Sequence, residues 1–132
     1  MTSSAWAPTP PSHDRHRHHP AHAWAVLGAA LAERQAVWLT YHGRRRLICP
    51  HALGWHKNRP MVLGYQTGGE TSSGALPADP RQRWRVLFVD EADDVVADMA
   101  APWGTAENYN PTRPFPVADE VVAAVPGPRD GT

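Results

Sequence analysis

The hydrophobic period of this chain switches once, at residue 36, and that switch limits the fold more than any other feature. Before it, Trp24, Leu27 and Leu31 recur at i, i+3 and i+7, widened by Ala30, which marks one face of a helix over residues 23–35. Glu33, Arg34 and Gln35 are polar and close that helix, while Gly28 inside it costs about 1 kcal/mol against alanine. After it, Val37, Leu39 and Tyr41 alternate with Trp38 and Thr40, the two-residue period of a strand made of good strand formers. His42-Gly43 is a turn signal, and residues 44–49 read as a second strand ended by Pro50. Arg46 and Ile48 share one of its faces, Leu47 and Cys49 the other. A turn at residues 57–60 leads to a third strand, 61–66, apolar enough to be central. A long polar loop over 67–80 follows, then a fourth strand at 83–89 and a short fifth at 95–97 beyond the acidic turn of Asp90, Glu91, Asp93 and Asp94. Five short, closely spaced strands predict a mostly β chain: a small five-stranded SH3-like or Sm-like barrel with one N-terminal α-helix. Closing such a sheet removes its exposed edges.

The flanks read differently. Residues 1–22 hold Pro8, Pro10, Pro11 and Pro20 and five of the eight histidines, with few apolar groups to offset ordering entropy, and are expected to be a disordered His/Pro-rich arm. Residues 113–132 are again proline-rich and are expected to be an extended or disordered tail, which leaves the domain at 23–112 with its barrel over 36–98. The 132 residues, 42% of them hydrophobic, suffice for one domain. The formal net charge is zero but uneven: residues 23–60 carry net +5 and residues 61–132 net −6. That excludes a globally basic nucleic-acid binder and leaves room for a local basic patch. Cys49 is the single cysteine, so an internal disulfide framework is excluded and a reducing compartment fits. No apolar run approaches the roughly 18 residues that span a membrane. The expected location is the cytoplasm, without a membrane partner.

Several motifs in order carry a family resemblance. Tyr41-x4-Arg46-x-Ile48-x-Pro50, an apolar strand, and then Arg85-x4-Asp90 resemble the WYL-domain family, and within it the short stand-alone bacterial members. Pro50-His51-Ala52-x-Gly54, Tyr65-Gln66-x-Gly68-Gly69 with Ser72-Ser73-Gly74, Trp84-Arg85 leading to Val89-Asp90-Glu91, and Tyr109-Asn110-Pro111 fit the same pattern, over about residues 23–112. Two departures stand out: Met61-Val62-Leu63 replaces the Trp-Tyr-Leu tripeptide that names the family, and Glu91 stands where a basic residue often follows the aspartate. The resemblance implies an Sm-like barrel that senses a ligand, in several relatives a nucleic acid or nucleotide.

The residues themselves allow a compatible chemistry. Guanidinium is always charged and binds phosphate or carboxylate bidentately, so Arg46 with Arg85 from another strand can form an anion pocket. The alternative is that these arginines are solvated, in surface pairs worth about 0–1 kcal/mol. Tyr41 and Trp84, with Trp55 and Tyr65, are candidates for stacking on a base, or else fill the core. His51 and Gln66 can line the same pocket, or serve as a satisfied structural histidine and as turn chemistry. Cys49, His51 and His56 match no closed four-ligand zinc spacing, and no hydrolase or phosphate-loop signature is present. The expectation is therefore a non-enzymatic binding module for a nucleotide or short single-stranded nucleic acid, with no cofactor and no metal. The ligand-binding set is Arg46, Arg85, Tyr41, His51, Gln66 and Trp84. The alternative is a homo-oligomeric or protein-interaction module associating through edge strands.

Overall fold

The computed structural model describes residues 20–72, 74–110 and 118–126. Helix α1 is Pro20–Glu33 and is followed by β1 at Ala36–Tyr41, β2 at Arg44–His56, β3 at Arg59–Gly69, β4 at Trp84–Phe88, β5 at Ala92–Asp98 and β6 at Glu120–Ala124. The strands form one antiparallel sheet in the order β4-β3-β2-β1-β5, with β6 paired to β2 off that path. The expected mostly β chain behind one N-terminal helix is what forms. The expected closure does not appear: among the described residues β4 and β5 share no ladder, and a 3₁₀ turn at Val89–Glu91 carries the chain from one to the other. No described helix is long and apolar enough to cross a membrane.

Three boundaries differ from the sequence reading, each for a physical reason. β2 does not stop at Pro50. A register shift between Pro50 and Ala52 places a bulge there, where a residue without an N–H costs the ladder nothing, and the strand runs on to His56. Pro20, Ala21 and His22 belong to α1, with Pro20 at the first helical position, where its fixed φ is an advantage; the rest of the expected N-terminal arm, residues 1–19, lies outside the described residues. Residues 118–126, expected to be tail, hold β6, whose partners run from Ala52↔Ala124 to Trp55↔Glu120. Tyr109 secures its far end, donating from its hydroxyl to the carbonyl of Val125 (2.5 Å).

The turns follow from local chemistry. Gln35 N–H reaches back to the Ala30 carbonyl (2.8 Å) while Arg34 sits at positive φ, a Schellman-type close to α1. His42-Gly43 and Lys57-Asn58 all have positive φ, as two-residue hairpins of the primed type require. Lys57 is an unfavourable residue for that conformation, and Asp119 steadies it by accepting its backbone N–H (2.7 Å).

Side chains alternate between two apolar layers. On one face Val37, Leu39, Tyr41, Ile48, Leu53, Val62, Leu87, Val89 and Val95 pack with Ala23, Leu27, Ala30 and Leu31 of α1. Each fully buried aliphatic residue in that layer stabilises by about 1.5–3 kcal/mol relative to exposure. On the other face Cys49, Ala52, Met61, Leu63 and Tyr65 pack with Trp84, Phe88 and the returning segment that carries Trp103, Ala106 and Tyr109. Gly64 leaves room for a side chain of β2: a Cβ there would lie 2.0 Å from Cγ2 of the fully buried Ile48. Gly64→Ala is therefore expected to destabilise the domain by about 1–3 kcal/mol or more through overpacking. Urea unfolding checks this, and an unchanged midpoint would contradict the described packing of Ile48.

Candidate anion-binding site

The alternation that builds the helix-facing layer also decides where the arginines go. Arg46 lies opposite Leu39 of β1 and Gly69 of β3, in the interior of the sheet, and shares a face with Ile48. It is 6% exposed. Its guanidinium carbon lies 5.5 Å from the centre of the Tyr41 ring, a cation–π distance. The chain can pass over it because Gly69 adopts φ +80; a Cβ there would fall 2.7 Å from the Cα of Arg46.

Arg85 of β4 pairs with Gly64 and so faces the same way as Gln66, one strand over. Gln66 is fully buried and spends its amide on its neighbours: the nitrogen donates to the carbonyls of Gly68 and Glu70 (both 2.9 Å), and the oxygen accepts from Nε of Arg85 (3.2 Å). Nη1 of Arg85 donates to the carbonyls of Gln82 (3.1 Å) and Trp84 (3.0 Å). Arg85 is thus oriented by neutral oxygens.

What is missing around these groups gives the site its character. Among the described residues no carboxylate pairs with Arg46 or Arg85, and Nε of Arg46 is buried without a hydrogen-bond partner. Burial lowers the pKa of Arg46, and the nearby charges of Arg85 and Arg44 lower it further. Burial alone lowers that of Arg85. Arg46 therefore feels two neighbouring guanidinium charges, with no carboxylate paired to it among the described residues. A buried cation left this way is costly unless an anion joins it.

Other basic residues are already engaged. Arg59 binds Asp90 (2.7 Å) and Glu91 (2.6 Å) and lies 3.7 Å over the ring of Phe88, and those two acids hold its pKa up. Arg45 points to the opposite face from Arg46 and donates to Thr40 Oγ1 and to the carbonyl of Asp94. The aspartate of the Arg85-x4-Asp90 motif thus serves Arg59, and the motif's arginine has no acid partner among the described residues.

The sequence-predicted set divides in two. Tyr41, Arg46, Gln66 and Arg85 come together. Tyr41 is a support and not an open stacking surface: it is 7% exposed, its hydroxyl accepts from the N–H of Phe88 (3.1 Å), and the exposed His42 stacks on it at 4.1 Å. His51 and Trp84 do not join the arginines. His51 follows Cys49 by two residues and so faces the other apolar layer, beside Trp84 (4.7 Å), Trp103 (4.8 Å) and Tyr109 (4.9 Å); as the extra residue of the Pro50 bulge it is joined on that side by Ala52. Both its nitrogens are used: Nδ1 donates to the Cys49 carbonyl (2.8 Å) and Nε2 meets the Thr105 hydroxyl (2.9 Å). Trp84 donates to Asn108 Oδ1 (2.9 Å). Trp55 stacks against Trp24 of α1, and Tyr65 is buried beside Trp84, so neither belongs to the arginine site. Ser73 of the loop lies outside the described residues. Arg44 comes within electrostatic reach of Arg46 because it sits two residues away on the same strand face. No group of three or more potential metal ligands occurs among the described residues.

Family models, curated proteins and solved structures yield no match to this chain.

The His51 box generates a pH prediction. Burial lowers its pKa from 6.5 to about 4, so the folded state holds it neutral while the unfolded chain protonates near 6.5. Its contribution is complete above pH 6.5 and is lost as pH falls toward 4, by up to about 3 kcal/mol. The depressed carboxyls of Glu91 and Asp119 lose their contribution only at lower pH, as each is protonated. Urea unfolding should show stability falling between pH 7 and pH 4.5, with a shallower fall in His51→Asn. An identical slope in the variant would contradict the buried neutral imidazole.

Proposed function

We propose that this chain is a ligand-sensing module that binds a nucleotide or short single-stranded nucleic acid through its phosphate, at Arg46 and Arg85, with Arg44 adding to the local field. The reading assigns binding and no reaction, on the Sm-like β scaffold that the resemblance to WYL domains implies. One observation carries it: Arg46 is nine-tenths buried, sits on the ring of Tyr41, lies within electrostatic reach of Arg85, and has no carboxylate among the described residues. Structural arginines are normally paired, as Arg59 is here. A cation held unpaired at a cost to stability is the signature of a group kept for a ligand. Gln66 then acts as a positioning residue, fixing Arg85 and the 68–70 backbone together.

Two readouts of one variant test this. Arg46→Met keeps the bulk and removes the charge, so the unfolding midpoint should stay level or rise. Binding of pentathymidylate, followed by fluorescence anisotropy, should weaken at least about tenfold, as loss of a charge-assisted hydrogen bond predicts. Wild-type affinity should fall with added salt at a logarithmic slope of about −0.7 per phosphate contacted. Unchanged affinity in Arg46→Met, or a folded wild type that binds at neither low nor raised salt, would refute the reading.

A further inference from the structure

The charge and burial of the cluster narrow the ligand further. We infer that the site takes a terminal phosphate monoester, at the end of a nucleic-acid strand or on a free nucleotide, in preference to the phosphodiesters inside a strand. This rests on the phosphate-binding reading above.

Charge is the first argument. Arg46 is within electrostatic reach of both Arg85 and Arg44, and among the described residues no carboxylate pairs with any of the three. An internal phosphodiester brings one negative charge and two free oxygens. A terminal monoester brings about −1.5 to −2 at pH 7 and three acceptor oxygens. The donors match the larger group. Arg46 offers a guanidinium whose buried Nε is unpartnered, while Arg85, with Nε and Nη1 already spent on neutral oxygens, keeps Nη2 to offer.

Position is the second argument. Arg46 is on an interior strand, flanked by Leu39 on β1 and Gly69 on β3, and only 6% of it is exposed. A strand lying across a protein surface meets side chains that stand out from it. To bring an internal phosphodiester to Arg46, the sugars on both sides would have to be buried with it. A terminal phosphate enters end-on, with one sugar behind it. Arg45, the neighbour facing the opposite way, is tied to Thr40 and the Asp94 carbonyl and offers no continuing track for a backbone.

The test uses the full chain and four probes: pentathymidylate with a 5′-phosphate, with a 3′-phosphate, with hydroxyls at both ends, and thymidine 5′-monophosphate as competitor. The expected result is at least tenfold tighter binding of one phosphorylated form than of the hydroxyl-ended form. That margin should shrink between pH 7.5 and 5.5 as the monoester takes up its second proton near pH 6. In Arg46→Met, and independently in Arg85→Gln, the phosphorylated and hydroxyl-ended affinities should converge. Displacement by the mononucleotide would identify a free nucleotide as sufficient; failure of the mononucleotide to compete, with the end preference intact, would identify strand ends. Equal affinities for all three oligonucleotides would overturn the inference and leave the phosphate-binding reading standing. Binding of no probe by folded protein would overturn both.

Discussion

β2 is the element on which the rest of this structure depends. Its thirteen residues pair with β3 along nearly their whole length, with β1 over the first part and with β6 over the last. A strand embedded in this way sends alternate side chains into two different apolar layers, and it does so with an interruption. The bulge at Pro50 adds one residue, and that residue is His51. Ahead of the bulge the helix-facing layer receives Arg46 and Ile48; at the bulge the opposite layer receives His51. Two polar groups four residues from Ile48 or closer thus enter unlike surroundings. One becomes a neutral, doubly hydrogen-bonded imidazole among four aromatic rings, and the other a cation with no carboxylate partner among the described residues.

The contrast between arginines links this packing to the proposed function. Arg59 and Arg46 are both close to an aromatic ring, Phe88 and Tyr41 respectively. Arg59 is joined by two carboxylates at the partly exposed end of the hairpin, and its charge is satisfied within the chain. Arg46 lies deeper, against the Tyr41 ring and within reach of Arg85 and Arg44, and no carboxylate among the described residues pairs with it. Desolvation without compensation is unfavourable to folding. The domain tolerates it because the surrounding layer, with Leu27, Leu39, Ile48, Val37, Val62 and Val89 fully buried, supplies ample stabilisation.

Much of this was legible in the residues. The switch of period at residue 36 located the helix and the first strand, and alternation in 44–49 placed Arg46 with Ile48 and turned Arg45 away, as found. Arg46, Arg85, Tyr41 and Gln66 were named from the sequence and come together. The failures have a common source, since each lies where a local rule met a tertiary one. Pro50 reads as a strand terminator, yet a bulge accommodates it. His51 and Trp84 were grouped with the arginines by proximity in sequence, but the pleat carries them to the other layer, His51 with Cys49 and Trp84 with Tyr65. β6 has no turn signal tying it to the barrel pattern, because its pairing to β2 is set by contacts such as Tyr109 with Val125, sixteen residues apart. The open edge between β4 and β5 was equally unreadable, because strand signals do not encode closure.

In the proposed reading Arg46 and Arg85 are held open for an anion while Arg59 is not. The most direct measurement is side-chain guanidinium NMR, following the Nε–H resonances of all three during titration with 5′-phosphorylated pentathymidylate. Arg46 and Arg85 should shift together along one saturable curve while Arg59 stays in place. Saturation of the protein with Arg46 and Arg85 unmoved, or with Arg59 responding in their stead, would contradict it.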